Sequence, residues 1–268
     1  MLKPRRPYGA LIHSLSKVWR IKEVRDDEAL IHAGHPSIPI FRSDCLRIAI
    51  WNLCKGSGGY QFEHDFRSIC RRNDLILTQE ALLSSRSIRL FEEAGFAMTH
   101  AASYERVDGL RDGVMTISRA PSLNSSVRRI ICKYPEPIFN TPKVALIQKF
   151  PLDGGSELLL VNIHATLVRS ISGAIEEINH ILSFLPEHAG PIVFAGDFNT
   201  FTRRYLEAIE KKLESVGLQR VPIHGDPRPR SQALDQIFTR GFEIKKASVE
   251  VSYLNSDHFP LFAVLKQL

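Results

Sequence analysis

The chain has 268 residues, 44% of them hydrophobic and 24% charged, with 16 glycines and 15 prolines. That composition supplies a sizeable apolar core and excludes a chain disordered over most of its length. The formal net charge of +6 suits a polyanionic partner, nucleic acid or anionic lipid, although a solvated surface with a few extra arginines gives the same sum.

Residues 1–44 are rich in Arg, Lys, His and Pro and weakly periodic. They read as a basic N-terminal extension packed over or beside the main domain, which spans 45–268. From Leu46 the pattern turns regular. LRIAIW reads as a central strand, GSGGY at 56–60 as a loop, and FEHDFRSICRR as a helix with Phe62, Phe66, Ile69 and Cys70 on one face. DLILTQ is the next strand, followed by a helix over 86–94 closed by Gly95.

Strands then follow over 96–101, GVMTIS, VRRIIC, KVALIQKF and ELLLVNIH, the last two joined by a hairpin signal at Asp153-Gly154-Gly155. A helix over 171–185 stops at Pro186. PIVFAGD is a strand, and an amphipathic helix over 203–216 ends at Gly217. VPIHGDPRPRS is a Pro-rich loop, and LDQIF, EIKKASVEV and FPLFAVL complete the strands. Strand runs with interspersed helices, no linker and no internal repeat fit an α/β sandwich of two packed sheets with helices outside.

The four cysteines (Cys45, Cys54, Cys70, Cys132) are widely spaced without a CxxC. They predict reduced thiols in a cytoplasmic protein rather than a disulfide frame or zinc site. No stretch has the apolar length of a membrane span, and the basic N-terminus lacks an apolar core of secretory length, so neither insertion nor export is expected. No protein partner is indicated.

Six phrases carry the chemistry: IAIWN ending at Asn52, LTQE at Glu80, VNIH at His164, FAGDFN with Asp197 and Asn199, ALDQIF with Asp235, and SDHFP with Asp257 and His258. Each places Asn, Glu, Asp or His at or near the end of an apolar strand, the way α/β enzymes gather distant residues on one rim of a sheet. Singly, each has a plain alternative: Asn52 a turn cap, Glu80 a helix start, His164 a hydrogen-bonded strand end, GDFN a tight turn. Jointly they suit phosphate-ester hydrolysis, which needs a divalent cation, an oriented water and donors for developing charge. Asn52 and Glu80 are hard oxygen ligands of the kind that suits Mg²⁺ or Mn²⁺. Asp197 could orient water while Asn199 donates to phosphate, and His258 with Asp257 and Asp235 nearby has the makings of a carboxylate-fixed imidazole.

The set WN, QE, NIH, GDFN, LDQIF and SDHFP resembles the endonuclease/exonuclease/phosphatase superfamily, which includes DNase I, AP endonucleases, neutral sphingomyelinases and inositol-phosphate 5-phosphatases. RDGVMTIS, VNIHA, AGDFNTFTRR and TRGF are similar to bacterial YafD-type proteins. The resemblance covers residues 46–268 and implies a DNase I-like four-layer sandwich of two mixed sheets flanked by helices, with Mg²⁺-dependent, in-line attack of water on a phosphodiester. It implies Asn52 and Glu80 as metal ligands, Asp257 beside a second metal position, Asp197 as the water-orienting group and Asn199 on the scissile phosphate. It further implies His258 as catalytic histidine paired with Asp235, and His164 as transition-state stabiliser. Lys143, in TPKVAL, stands where relatives carry a basic group near the phosphate. Cys54 replaces an acidic residue of the AP-endonuclease branch, which also lacks a histidine at the NIH position; both departures argue against abasic-site repair. Phe259 replaces a more usual polar residue. With Arg203 and Arg204 directly after GDFNTFT, the expected substrate is a nucleic acid. The alternatives are a phospholipid or small phosphoester, with Phe198 and Phe201 as aromatic contacts, or a non-catalytic binding protein on the same scaffold.

Overall fold

Side chains alternate across a strand, so each apolar run here feeds two different cores. The computed structural model describes residues 21–268 apart from 57–58, 138–139, 169, 230–232 and 254. An eight-stranded sheet contains β1 (Ile21–Lys22), β2 (Leu30–Gly34), β3 (Leu46–Asn52), β4 (Leu75–Gln79), β5 (Ala97–Arg106), β6 (Arg111–Ser118), β13 (Phe242–Val249) and β14 (Leu261–Gln267). Its order is β1-β5-β6-β4-β3-β14-β13, with β2 also paired to β5. The six-stranded second sheet is formed by β7 (Arg128–Ile131), β8 (Val144–Pro151), β9 (Glu157–His164), β10 (Ile192–Asp197), β11 (Gln219–Arg220) and β12 (Asp235–Arg240). Its order is β11-β12-β10-β9-β8-β7. β3–β4 and β9–β10 are parallel pairs among antiparallel ladders, so both sheets are mixed.

Ile48, Ile50, Leu75 and Leu77 from the first sheet meet Leu158, Leu160, Val193, Ala195 and Ile237 from the second in one buried cluster. The intervening residues face outward. Ala49, Trp51 and Ile76 pack under α1 (Gly59–Arg72) and α2 (Ser85–Glu93). Leu159, Val161, Ile163, Ile192 and Phe194 pack under α3 (Ile171–Leu182) and α4 (Arg203–Glu214). The result is the expected four-layer α/β sandwich. Ser170 caps α3 by accepting from Gly173 N at 3.0 Å, and Thr202 caps α4 by accepting from Tyr205 N at 3.3 Å, which satisfies N–H groups that the helices leave unpaired.

Two local expectations change. Gly59 and Tyr60, read as loop, begin α1; the first-turn N–H groups need no intrahelical partner, so apolar periodicity does not mark this end. The rest of that loop, 57–58, lies outside the described residues, as does the end of the Pro-rich loop. Residues 21–44, read as part of an extension, contribute β1 and β2 to the edge of the first sheet. Phe41, 1% exposed, enters the inter-sheet core, and its backbone bonds Pro151 O at 3.2 Å and Asp153 N at 2.8 Å on the second sheet. Residues 1–20 are outside the described part. Among the described residues no helix is long and apolar enough to cross a membrane, and all four cysteines are unpaired.

Candidate active site

The same alternation that builds the inter-sheet core delivers the polar residues. Asn52 follows Ile48 and Ile50, Gln79 follows Leu75 and Leu77, His164 follows Leu158, Leu160 and Asn162, Asp197 follows Val193 and Ala195, and Asp235 precedes Ile237. All carry the inward parity of their strands. Ladder register then aligns them: Asn52 opposite Gln79, Asp197 opposite His164 on one side and Asp235 on the other. A seam between two sheets becomes polar where the apolar residues stop. Gly196 permits this approach, since a Cβ there would lie 2.0 Å from Ile163 O and its φ is +140°.

Asp197 is the hub. Its Oδ2 accepts from Asn52 Nδ2 at 3.0 Å, and its Oδ1 accepts from the backbone N–H of Asn199 at 2.8 Å. The same Oδ2 lies 3.7 Å from His164 Nε2 and 3.9 Å from His258 Nε2. His258 Nδ1 is 2.9 Å from Asp235 Oδ2. The His258 backbone is pinned as well: its carbonyl accepts from Trp51 Nε1 at 3.0 Å, and its N–H donates to Ser256 Oγ at 3.0 Å. Ser256 Oγ in turn donates to Asn52 O at 2.6 Å. Asn199 Nδ2 donates to Ala165 O at 2.7 Å, which fixes the amide at the rim.

Glu80 turns back into the seam through a left-handed backbone, φ +47°. Cys54 at +46°, Lys55 at +62° and Asn199 at +51° are also left-handed, so four of the five described non-glycine residues with positive φ border this site. Such conformations persist where the surroundings over-determine them. Lys55 N–H donates to Glu80 O at 3.0 Å, and Lys55 Nζ to Glu80 Oε2 at 3.0 Å. Glu80 Oε1 is 4.0 Å from His164 Nε2.

The charges are sharply sorted. Burial opposes ionisation of Glu80, but Lys143 and Lys55 outweigh it and hold its carboxyl well below the usual carboxylate range. Burial and the Glu80 charge push Asp112 up to about 6. Burial and Lys143 push His164 down to about 3, leaving a neutral imidazole. His258 goes the other way: burial disfavours its cation, but Asp235 overrides that and raises it to about 10. Burial, with Asp257 next, pushes the Cys54 thiol up to about 12, so it stays a thiol.

Asn52, Glu80, His164, Asp197, Asn199, Asp235 and His258 are thus brought to one place. Lys143 is partly buried near Glu80 and paired with Glu136 at 3.4 Å. Asp257 is exposed, hydrogen-bonds towards Cys54, and also acts through its charge on His258. Arg203 and Arg204 open α4; Arg203, 85% exposed, pairs with Glu207 at 2.7 Å and Arg204 is exposed, and no described hydrogen bond or ion pair joins either to the hub. Phe198 is buried between sheet and helices and Phe201 packs at its edge, so neither forms an aromatic rim. Sequence reading missed Lys55, Asp112, Arg228, Gln79 and Asn162. Gln79 Nε2 donates to Asn162 Oδ1 at 2.7 Å across the sheets, beneath the site. Asp112 shares the inward parity of Val114, a signal that period-two counting along RDGVMTIS could have caught.

Two carboxylates, Glu80 and Asp112, converge, and Asp112 Oδ2 is buried without a hydrogen-bond partner. With Asn52 Oδ1, which accepts from Cys54 N–H at 3.0 Å, at the neighbouring strand end, that is a set of hard oxygen donors of the kind that suits a divalent cation such as Mg²⁺, with Lys55 and Lys143 already balancing part of its charge. Asp197, Asp235 and His258 also lie within 4.8 Å of one another. His258 Nδ1 is already taken by Asp235 at 2.9 Å and only Nε2 faces Asp197, an arrangement that suits proton handling.

A two-sheet sandwich with such a rim defines a phosphoesterase-type scaffold. The family profile of the endonuclease/exonuclease/phosphatase family matches residues 49–258, and the chain belongs to that family of hydrolases. It is 31% identical over 223 residues to a UPF0294 protein of Vibrio vulnificus, covering 81% of this chain and 75% of that one. An endonuclease/exonuclease/phosphatase from Beutenbergia cavernae superposes with a TM-score of 0.65 at 15% identity, covering 84% of this chain and 72% of that one. D. rerio TDP2, described in complex with single-strand DNA product, gives a TM-score of 0.54 at 16% identity, with coverage of 83% and 99%.

Proposed function

We propose that this chain is a Mg²⁺-dependent phosphodiesterase whose preferred substrate is a nucleic acid. The observation that carries the reading is the pair of imidazoles, one neutral and one protonated, set 3.7 and 3.9 Å from a single Asp197 oxygen beside Glu80. Two titratable groups whose surroundings push them apart divide acid and base roles.

Glu80 and Asn52, with Asp112 adjacent, would hold the metal; when bound, it neutralises phosphate charge and acidifies water. Asp197 Oδ2 orients the attacking water and receives its proton. His258 presents Nε2–H to a phosphate oxygen or the leaving group, while Asp235 fixes Nδ1 and stabilises the cation. His164 and the Asn199 amide lie beside the hub as donors for the developing charge. Lys143 favours an anionic substrate by its charge near Glu80.

The formal charge of +6 and the DNA-bound state described for D. rerio TDP2 support the choice of nucleic acid. The test is Mg²⁺-dependent hydrolysis of plasmid DNA, single-stranded RNA and bis-p-nitrophenyl phosphate, with His258→Ala as blank. Turnover of nucleic acid that vanishes in EDTA and in the variant is the expected result. Turnover of the small diester alone would overturn the substrate assignment, and silence on all three would overturn the enzyme.

A further inference from the structure

Behind the Asp235–His258 pair lies a charge to which the proposed reaction assigns no role. Arg228, in the Pro-rich loop before β12, has a side chain only 4% exposed. Three bonds tie its fork to Asp226: Nε to Oδ1 at 2.9 Å, Nε to Oδ2 at 3.1 Å and Nη2 to Oδ2 at 2.6 Å. The Arg228 N–H also donates to Asp226 Oδ1 at 3.0 Å, so the loop backbone and the fork share one anchor. The guanidinium carbon lies 5.6 Å from the centre of the Phe259 ring, on the residue next to His258.

This clamp leaves Nη1 directed at Asp235, 3.6 Å from Oδ2. Nη1 and Asp235 Oδ1 are both buried and have no hydrogen-bond partner among the described residues. An unpaired donor and an unpaired acceptor on oppositely charged neighbours are each expensive alone and compensate one another through space. Asp235 itself has no side-chain exposure, so bulk solvent does not reach it. Asp226, Arg228, Asp235, His258 and Asp197 therefore form an alternating row of charges that runs from the loop into the hub, with His258 carrying its proton.

We propose that Arg228 is a positioning residue: its clamped guanidinium sets the orientation of the Asp235 carboxylate and, through it, the His258 ring, without touching substrate. This rests on the assignment of Asp235 and His258 to the chemical step, but its first test does not. The alternatives for a buried arginine, a packing element for Phe259 or a substrate-phosphate ligand, predict different results. A packing element is replaceable by an apolar side chain of similar length; a substrate ligand acts on KM.

The first experiment is proton NMR of the full chain without metal or substrate. It observes the far-downfield Nδ1–H resonance of His258, assigned by its absence in His258→Gln. In Arg228→Met, with a cooperative thermal transition retained, that resonance is expected to shift upfield or broaden through faster exchange. An unchanged resonance in the folded variant would overturn the proposal. The second experiment is turnover of the best substrate found for the wild type. The expectation is a fall in kcat of about tenfold or more with KM unchanged, the sign of an interaction that matters in the transition state. A rise in KM at constant kcat would make Arg228 a substrate ligand and overturn it. If Arg228→Met does not fold, Arg228→Lys, which retains charge but not the planar fork, takes its place in both measurements with the same expected and overturning results.

Discussion

Asp197 and Asp235 stand directly opposite one another across the β10–β12 ladder, and one histidine serves both. His258 gives Nδ1 to Asp235 at 2.9 Å and presents Nε2 to Asp197 at 3.9 Å. Two carboxylates at adjacent ladder positions would repel; an imidazolium between them turns repulsion into a device for holding a proton.

That device makes the stability of the metal-free protein fall with pH. The folded state raises His258 to about 10 from the ordinary value of 6.5, with burial opposing and Asp235 prevailing. The folded state therefore binds the proton more tightly, and this stabilisation is complete below about pH 6.5 and lost as pH rises through about 10. The thermal midpoint of the wild type should decline across that window more steeply than that of His258→Gln. Parallel curves would remove the pairing as a source of stability.

Asp112 gives the opposite lesson. Burial and Glu80 raise it to about 6, so its ionised form costs stability, fully above about pH 6 and not at all below about pH 4. Without metal at neutral pH, Asp112→Asn should raise the thermal midpoint by about 2 °C or more, corresponding to about 1 kcal/mol. The same variant should gain less from added Mg²⁺ than the wild type. An equal Mg²⁺ response would exclude Asp112 from the metal's surroundings.

Glu80→Gln keeps the shape of the side chain and removes its charge. The concentration of Mg²⁺ needed for half-maximal turnover should rise about tenfold or more, judged from the effect of groups that merely support metal ligands. Metal titrations of activity and calorimetric Mg²⁺ binding should move together. An unchanged requirement would place the metal elsewhere.

Trp51 links the outer core to the catalytic loop. It is fully buried, and its Nε1 holds His258 O at 3.0 Å. Trp51→Phe keeps an aromatic ring in the core but leaves that carbonyl without its donor, so urea unfolding should show a loss of about 1–3 kcal/mol. A lowered kcat should accompany it, since His258 loses a backbone anchor. Full activity at reduced stability would show that the loop is held by Ser256 alone.

The central strands and the gathering of polar side chains at their ends were legible because both rest on local rules: alternation sets which residues face the seam, and Asn52, His164 and Asp197 simply continue it. What was not legible depended on residues distant in sequence. β2, LIHAG, has no clear alternation and exists because β5 offers it an edge. Lys55 reads as a surface lysine until the left-handed turn at 54–55 folds it onto Glu80. Arg228 sits in a segment whose prolines say only that no helix or strand forms there. Arg203 and Arg204 show the converse: nearness to GDFN along the chain did not become a contact with the cluster, since Arg203 pairs with Glu207 on its own helix and both are exposed.

Asn52 and Glu80 ride on one sheet, His164, Asp197 and Asp235 on the other, and the Asn52–Asp197 and Gln79–Asn162 hydrogen bonds cross the gap. The candidate active site is thus a joint between two slabs, and it has no existence within either. Trimming Leu160 or Ile237, far from any reacting atom, would change the tilt of one slab on the other and misalign every cross-gap contact together. Under the proposed reaction, turnover becomes a gauge of sheet alignment, and damage to the middle of the protein should appear as lost chemistry before it appears as lost fold.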